Sequence, residues 1–452
     1  SPYWRGASLR PDYGRIECPI FLIAGWRDGY SSTMLRMFQR LTVPRKILIG
    51  PWVHSRPNVS VPGPRIDYAR EMARFFARWL RDEDDGFMDE PAVAAYMQEF
   101  APPRRTRDVT PGSWRAERAF PPQGAADLVL HLGPEGVLAD AAGPPGHDEF
   151  DYLATVGVSN GYWSAGGLSF YLAEDQRPDE ARSLCYTSAP LARETHLLGW
   201  PRVILHASST ARVATFVAKL SDVAPDGASA LIVDGSLNAT RRASVAEPSP
   251  LEPGTVYELD VPMAPTGYVL GAGHRLRLAL AGSDFPNLWP TPEPARNRIY
   301  RGAARPSRVI LPVVGPPAEV SPVFAPPPSL DSPVRVSAEP PLQQVIHDQV
   351  AGTVTMHNRR ATTTVLEGGG GALWNESRLR ATATDADPAQ ASVAGSHRYR
   401  LERPDGTVEV VAESVLRATA DAFHLEITLA VTRNGAPYFS RSWTVSEPRR
   451  LL

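Results

Sequence analysis

Two polar residues that could act as a general base and its partner each follow an apolar run near the start of the chain. Asp28 comes shortly after the run Ile20–Ala24, and His54 comes shortly after the run Ile47–Ile49. In α/β sheets, functional side chains lie beyond the carboxyl ends of parallel strands. An Asp followed by a His in this order is typical of the last two members of a Ser-Asp-His triad. In such a triad His54 would take a proton from a serine hydroxyl, and Asp28 would fix the imidazole tautomer.

Each residue alone has a simpler interpretation. Asp28 precedes Gly29, and Asp-Gly is a common turn dipeptide. His54 could be an ordinary loop histidine with a local hydrogen-bond partner. The two residues at successive strand ends, each flanked by Gly and Trp, form a more specific pattern that favours the catalytic hypothesis.

The serine that this pair should serve has no matching motif. A nucleophile elbow needs a Gly-x-Ser-x-Gly turn between a strand and a helix, upstream of the Asp. Ser169 lies in the sequence GLSFYL, which lacks the final Gly, follows the Asp and His, and has β-type neighbours. Ser164 lacks the first Gly as well. Neither is predicted to be the nucleophile.

The first 90 residues have the pattern of alternating strands and helices. Apolar runs predict strands over about 18–25 and 46–50, with a helix between them that begins near Ser31 or Ser32. A second helix, from about Pro64, has an apolar stripe that is predicted to lie on the sheet. Its members are Ile66, Ala69, Met72, Ala73, Phe76, Trp79 and Leu80. This alternation predicts a parallel sheet that needs further strands from elsewhere.

From about residue 92 the pattern is all-β, with short alternating runs between Pro, Gly and Asp-Gly turns. We expect an α/β plus all-β chain with four parts. These are an α/β part with a parallel sheet (1–91), a β-sandwich of jelly-roll type (92–315), a Pro-rich linker (316–341) and a β-rich extension (342–452). Asp226-Gly227, Asp405-Gly406 and Asn434-Gly435 predict hairpin turns.

Composition excludes several classes of protein. The formal net charge is −2, so no global field attracts nucleic acid or an anionic membrane. No apolar run is long enough to span a membrane, and no leader sequence is visible, so a cytoplasmic location is the default expectation. Scattered histidines and the distant Cys18 and Cys185 predict neither a metal site nor a disulfide. No cofactor is expected.

Several spaced motifs resemble the CocE/NonD hydrolases, a family that includes cocaine esterase, α-amino-acid ester hydrolases and the Xaa-Pro dipeptidyl-peptidases of the S15 class. They include GWRDGY at 25–30, GPWVHS at 50–55 and RFFARWL at 74–80, and they continue through YTSAPL at 186–191 and SDFPN at 283–287. The resemblance covers roughly residues 1–315. It implies that residues 1–91 are the C-terminal part of an α/β-hydrolase sheet and that residues 92–315 are a galactose-binding-like jelly roll. It also implies a serine hydrolase that acts on an ester or amide.

The resemblance also implies site residues. Tyr30 matches a position where the family places an aromatic ring against the substrate acyl group. Trp52 and Trp26 could do the same, although a buried Trp is more often part of a core. Leu168 and Phe170 correspond to a segment near the family's acyl site.

The chain departs from the family at its front, because both the nucleophile elbow and the helical cap of the family lie upstream of the Asp. We therefore expect an upstream segment or a second chain to supply the serine and the oxyanion hole. The expected substrate is a small acyl ester or peptide. Two rival hypotheses remain: a non-catalytic binding or accessory subunit, and an inactive truncated remnant.

Overall fold

The structure is a computed structural model that describes residues 12–161, 172–329, 334–366 and 370–452, together with Tyr3 and residues 6–9. Ser164, Leu168, Ser169 and Phe170 lie outside the described residues. In the described part the chain is mostly β, with one large curled sheet and a second sheet. None of the helices found there is both long and apolar enough to cross a membrane.

The helices are α1 (Ser31–Arg40), α2 (Tyr68–Arg81) and α3 (Arg177–Glu180). The first sheet contains β1 (Ile20–Gly25), β2 (Arg45–Gly50), β3 (Val93–Glu99), β4 (Gly112–Glu117), β5 (Ala126–Leu132), β6 (Val137–Ala139), β7 (Gly146–Asp151), β8 (Leu184–Ser188), β9 (Thr195–Gly199), β10 (Arg202–Ser209), β11 (Thr215–Val223), β12 (Ser229–Asn238), β13 (Tyr257–Pro262), β14 (Thr266–Leu270), β15 (Arg275–Ala281), β16 (Arg296–Arg301) and β17 (Arg308–Val314). The second contains β18 (Val334–Ala338), β19 (Leu342–Asp348), β20 (Thr353–Leu366), β21 (Gly371–Thr384), β22 (Ser392–Arg403), β23 (Gly406–Ala418), β24 (Ala422–Arg433) and β25 (Ala436–Pro448).

Three parallel strands carry the predicted site. β1 pairs with β2 in a register that places Gly25 opposite Gly50, and β2 pairs with β3. Leu35 and Phe38 of α1 are buried against the apolar side chains of these strands. The two strands and the helix predicted here are confirmed, and β3 extends the parallel arrangement beyond the predicted pair.

The prediction for α2 is wrong in its start and in its buried face. The helix begins at Tyr68, because the side chain of Asp67 caps it by accepting a hydrogen bond from the Arg70 backbone N–H at 3.1 Å. The predicted apolar stripe faces outward, with Phe76 47% and Leu80 76% exposed, whereas Phe75 is 7% exposed.

An aromatic and ionic cluster explains which face of α2 is buried. Arg74 donates hydrogen bonds to Asp85 at 2.6 Å and to Glu90 at 2.7 Å, and its guanidinium lies over the ring of Phe87. The ring of Phe75 contacts that of Phe87 in turn. The face of α2 that contains the polar residues in the sequence is therefore the one that packs against the sheet.

Most of the first sheet beyond β3 is antiparallel and encloses a large apolar core. This core includes Tyr186, Leu205, Phe216 and Leu278, all fully buried. β11 and β12 form the hairpin predicted at Asp226-Gly227. β3 joins the two regions, because it pairs with β2, β4 and β14. The jelly-roll topology and the domain boundaries stay predictions.

The second sheet is an antiparallel arrangement of long strands. Asn434 and Gly435 have φ angles of 53° and 79° and connect β24 to β25, as expected for an Asn-Gly turn of type I′. Met356 and Ala381 pack against Phe285 of the first region. The predicted Pro-rich linker contains β18, and Phe324 within it packs on Trp114 with ring centroids 4.7 Å apart.

Candidate active site

Two glycines allow the loops after β1 and β2 to approach one another. A Cβ atom on Gly25 would lie 2.3 Å from the carbonyl oxygen of Trp52, and one on Gly50 would lie 2.5 Å from the Trp52 ring. Both distances are far below van der Waals contact, so only glycine fits either position. The Gly that opens each motif is therefore needed for the close approach of the two loops.

Backbone hydrogen bonds then fix the two loops together. The Trp26 N–H donates to the Gly50 carbonyl at 2.8 Å, and the Arg27 N–H donates to the Trp52 carbonyl at 3.0 Å. These bonds continue the β1–β2 ladder beyond the last strand residues. Asp28 and His54, the next polar residues on each side, are consequently brought to the same edge of the sheet.

The Asp28 and His54 side chains are in hydrogen-bond contact. Asp28 Oδ2 lies 2.9 Å from His54 Nδ1, within the range predicted for a catalytic pair. Asp28 Oδ1 accepts a second hydrogen bond from the Tyr30 N–H at 3.0 Å, which fixes the carboxylate. The Asp28 side chain is 15% exposed and that of His54 is 45% exposed, so the carboxylate is the more buried member of the pair. The catalytic role of the pair stays a prediction.

Tyr30 lies beside the imidazole. The ring centroids of Tyr30 and His54 are 5.5 Å apart, and the phenol side is exposed. Tyr30 directly precedes α1, so its backbone is fixed by the start of the helix. The predicted contact of this ring with a substrate acyl group is compatible with its position and stays a prediction.

The structure places Trp52 behind the site. Its side chain is 1% exposed, its ring packs on Trp114, and its indole N–H donates to the Pro64 carbonyl at 2.8 Å. Trp26 is also buried, and its indole N–H donates to the Tyr96 carbonyl at 2.7 Å. Trp52 therefore supports the loop of His54 from within the core. Its ring has no exposed surface with which to bind a substrate.

A cavity of about 590 Å³ adjoins the pair. Arg27, Asp28 and Val53 line one side, and apolar residues of both sheets, such as Ile232 and Leu379, line others. The two remaining predicted binding residues, Leu168 and Phe170, lie outside the described residues.

A buried polar network forms another wall of this cavity. The Lys219 ammonium lies 2.8 Å from Asp284 and 3.2 Å from Asp179. Burial by itself would lower the pKa of Lys219, but the carboxylates outweigh it and the pKa is raised. Asn160 donates hydrogen bonds to Asp284 at 2.9 Å and to Asp234 at 2.8 Å. Burial, and next the neighbouring Asp284 carboxylate, raise the pKa of Asp234.

Arg27 is one of the charged cavity residues that sequence reasoning missed. Its Nε donates to Gln98 Oε1 at 3.2 Å. Burial, followed by repulsion from Arg107, lowers the pKa of the Arg27 guanidinium. The signal was its position directly before Asp28 in the same turn, but an Arg-rich composition hid it. As for metals, no group of three or more His, Cys, Asp or Glu residues suited to hold an ion occurs within the described ranges.

This geometry is that of a general base held by a carboxylate. With Nδ1 directed at Asp28, proton transfer to or from a substrate-side group would use Nε2, on the other side of the ring. An ionised Asp28 would stabilise the imidazolium that forms. The arrangement suits acyl transfer from a nucleophile placed over the open face of His54.

Known families match both regions. Residues 85–310, half of the chain, match the X-Pro dipeptidyl-peptidase C-terminal non-catalytic domain. Residues 1–56, which contain Asp28 and His54, match the X-Pro dipeptidyl-peptidases of the S15 family. The fold and these matches thus define a hydrolase-family chain with a large β-rich part.

The chain belongs to the CocE/NonD, Xaa-Pro dipeptidyl-peptidase-like hydrolases. It is 28% identical over 343 residues to a protein of Mycobacterium bovis provisionally named a serine esterase, covering 70% of this chain and 52% of that protein. It is 26% identical over 352 residues to the cocaine esterase of Rhodococcus sp., covering 69% of this chain and 59% of that enzyme.

A solved structure shows the same fold. The CocE/NonD family hydrolase of Staphylococcus aureus superimposes with a TM-score of 0.51 at 16% identity, covering 67% of this chain and 56% of that one. The chain spans between half and three fifths of the length of the two named relatives.

Proposed function

We propose that this chain provides the general base and its orienting carboxylate to a serine hydrolase that cleaves an ester or amide. His54 accepts the proton of a serine hydroxyl and returns it to the leaving group, and Asp28 stabilises the imidazolium. The 2.9 Å contact between these side chains, at the adjacent ends of two parallel strands, is the observation that carries the proposal.

The serine and the oxyanion hole come from a polypeptide segment outside the described residues. This follows from the family resemblance, in which the nucleophile elbow precedes the Asp, and from the share of the relatives that the chain covers. β1 pairs only with β2 among the described strands, so its outer edge is open to a further parallel strand. Parallel strands are normally paired and covered on both sides, which supports an adjoining segment there.

The β-rich part has a structural role in this proposal. We infer that residues 92–315 form the jelly-roll domain of the family and that this domain closes the cavity next to Asp28. The reaction needs no cofactor, because proton transfer and covalent catalysis use side chains alone.

A fluorophosphonate probe, which labels activated serines, tests the proposal. The probe is applied to this chain alone and to the complete gene product or assembly that contains it. We expect labelling and ester hydrolysis only in the larger species. The His54→Gln variant of that species should lose both, and the exposed Arg40→Gln variant serves as the control.

Labelling of this chain alone would show that its nucleophile lies within it and would contradict the separate-segment proposal. A second function is suggested by the match of residues 85–310 to a non-catalytic domain. Binding of a carbohydrate by the chain, with no labelling in any larger species, would establish that binding role in place of hydrolysis.

A further inference from the structure

Arg27, which directly precedes Asp28, lines two adjoining cavities. It lines the 590 Å³ cavity together with Asp28 and also borders a smaller one of about 20 Å³. Arg107 and Tyr268 line the smaller cavity as well. A positively charged residue is therefore shared by both cavities, and the larger of them also includes Asp28 of the candidate pair.

The Arg27 guanidinium is not paired with a carboxylate in the part of the chain that the structure describes. Across the ranges that the structure describes, no carboxylate forms an ion pair with it, and its side-chain hydrogen bond is to the neutral amide of Gln98. Arg107 is in the same situation, since its guanidinium donates only to the Pro102 carbonyl, at 3.4 Å, among those residues. Keeping a cation in a poorly hydrated place without an anionic partner costs free energy.

Two carboxylates that line the larger cavity, Asp284 and Asp234, are bonded to other groups. Asp284 pairs with Lys219 and accepts from Asn160 and Asn287. Asp234 accepts from Asn160, and its attraction for Arg27 is weaker than the effects of burial and of Arg107. Glu99 borders the smaller cavity without forming an ion pair with either arginine.

The walls between these charged groups are apolar. Val53 comes from the loop that carries His54, Leu172 from the segment before α3, and Val217, Ile232 and Leu379 from the two sheets. A carbon skeleton can be buried there while an anionic end reaches the arginine. The planar guanidinium fork matches the geometry of a carboxylate and can bind it through two hydrogen bonds.

We propose that Arg27 is the anchor for a carboxylate on the substrate, so that the hydrolase acts on esters or amides carrying such a group on an apolar acyl or leaving part. The role of the bound carboxylate as part of a substrate rests on the proposed function. Binding of a carboxylate at Arg27 does not depend on hydrolysis. Arg107 strengthens the positive potential at the same end of the cavity.

Equilibrium binding to this chain tests the site without any turnover. Benzoate is the probe, and benzamide is its neutral analogue of the same shape, each titrated calorimetrically at pH 7 in low-salt buffer. We expect benzoate to bind at least about tenfold more tightly than benzamide, as is typical for a hydrogen-bonded charge pair. Equal affinity for the two compounds, or no binding of benzoate, would overturn the proposal.

Variants assign the preference to Arg27. Arg27→Gln should abolish the preference for benzoate, whereas Arg27→Lys should keep part of it because the charge is retained. Arg40→Gln, at the exposed end of α1, is the matched control and should bind as the unmodified chain does. A benzoate preference that persists in Arg27→Gln would contradict the assignment.

Thermal unfolding distinguishes a ligand anchor from a structural arginine. Without ligand, Arg27→Gln should be at least as stable as the unmodified chain, because an unpaired cation is removed. Benzoate should raise the Tm of the unmodified chain and not that of the variant. A large fall in the Tm of Arg27→Gln would instead show a structural role for Arg27. In that case the Arg27→Lys variant decides, because a retained preference for benzoate supports the anchor and a lost preference contradicts it. Loss of hydrolysis with retained benzoate binding would refute only the proposed function.

Discussion

The α-carbon of Gly25 lies so close to Trp52 that any side chain would collide with the Trp52 carbonyl oxygen, which would be 2.3 Å from a Cβ atom at that position. That carbonyl accepts a hydrogen bond from the Arg27 N–H. The contact is therefore part of the junction that places Asp28 against His54. Gly25, which has no reactive side chain, therefore helps to set the distance between the Asp28 and His54 side chains.

We expect Gly25→Ala to reduce both stability and activity. The added methyl group meets backbone, which cannot move aside without displacing the loop that carries His54. Overpacking of this kind costs about 1–3 kcal/mol of unfolding free energy, measurable by urea denaturation. Gly315→Ala is the control, because a Cβ at Gly315 meets no atom within 4 Å. Equal stability of the two variants would show that the junction can relax.

The Asp28→Asn substitution tests the chemistry of the pair with little change of shape. An amide at this position can hold the imidazole in the wrong tautomer and cannot stabilise the imidazolium. In a Ser-His-Asp hydrolase such a change lowers kcat by about 10⁴-fold. The measurement is steady-state ester hydrolysis by the complete gene product that contains the chain.

An unchanged unfolding transition in the Asp28→Asn variant would show that the loss is chemical. Retention of most of the activity would contradict a triad role for Asp28, whatever the hydrogen bond to His54 contributes to the loop. Arg40→Gln, at the exposed end of α1 and away from the pair, is the control and should keep the activity of the unmodified protein.

Local patterns in the sequence predicted the Asp–His pair because both members depend on short-range signals. Each is set by an apolar strand, a Gly that ends it and a fixed number of residues beyond. The orientation of α2 depends instead on Arg74, whose partners Asp85 and Glu90 lie outside the helix. Periodicity weighs apolar residues only, so it assigned the wrong face to the core.

Arg27 shows the same limit for the site. The proposed role of Arg27 depends on a cavity whose lining includes residues more than 200 positions away, such as Ile232 and Leu379. No spacing rule connects such positions in a single sequence. The identity of Trp52 as a core residue was open for a similar reason, since its burial depends on Trp114 and Pro64.

Adjacent phenylalanines on α2 provide a direct test of its orientation. Phe75 is packed against Phe21 and Phe87, so Phe75→Ala should cost about 3–5 kcal/mol of unfolding free energy. Phe76→Ala, on the exposed face, should change it by no more than about 0.5 kcal/mol in this chain. Chemical denaturation of both variants makes the comparison. A larger loss of unfolding free energy in Phe76→Ala than in Phe75→Ala would support the orientation of α2 expected from periodicity.

The two cysteines should differ sharply in reactivity. Burial, with a smaller contribution from the nearby Glu180 carboxylate, raises the pKa of the Cys185 thiol to about 12, whereas Cys18 is exposed. The thiolate is the reactive form, so a raised pKa leaves almost none of it at pH 8. Iodoacetamide at pH 8 should therefore modify Cys18 and spare Cys185 in the native chain, as read by peptide mass spectrometry. In urea both should react at similar rates, which serves as the control. The Cys185 thiol must reach solvent to ionise. Rapid alkylation of Cys185 in the native chain would therefore contradict this prediction and show that β8, the strand that carries Cys185, opens readily.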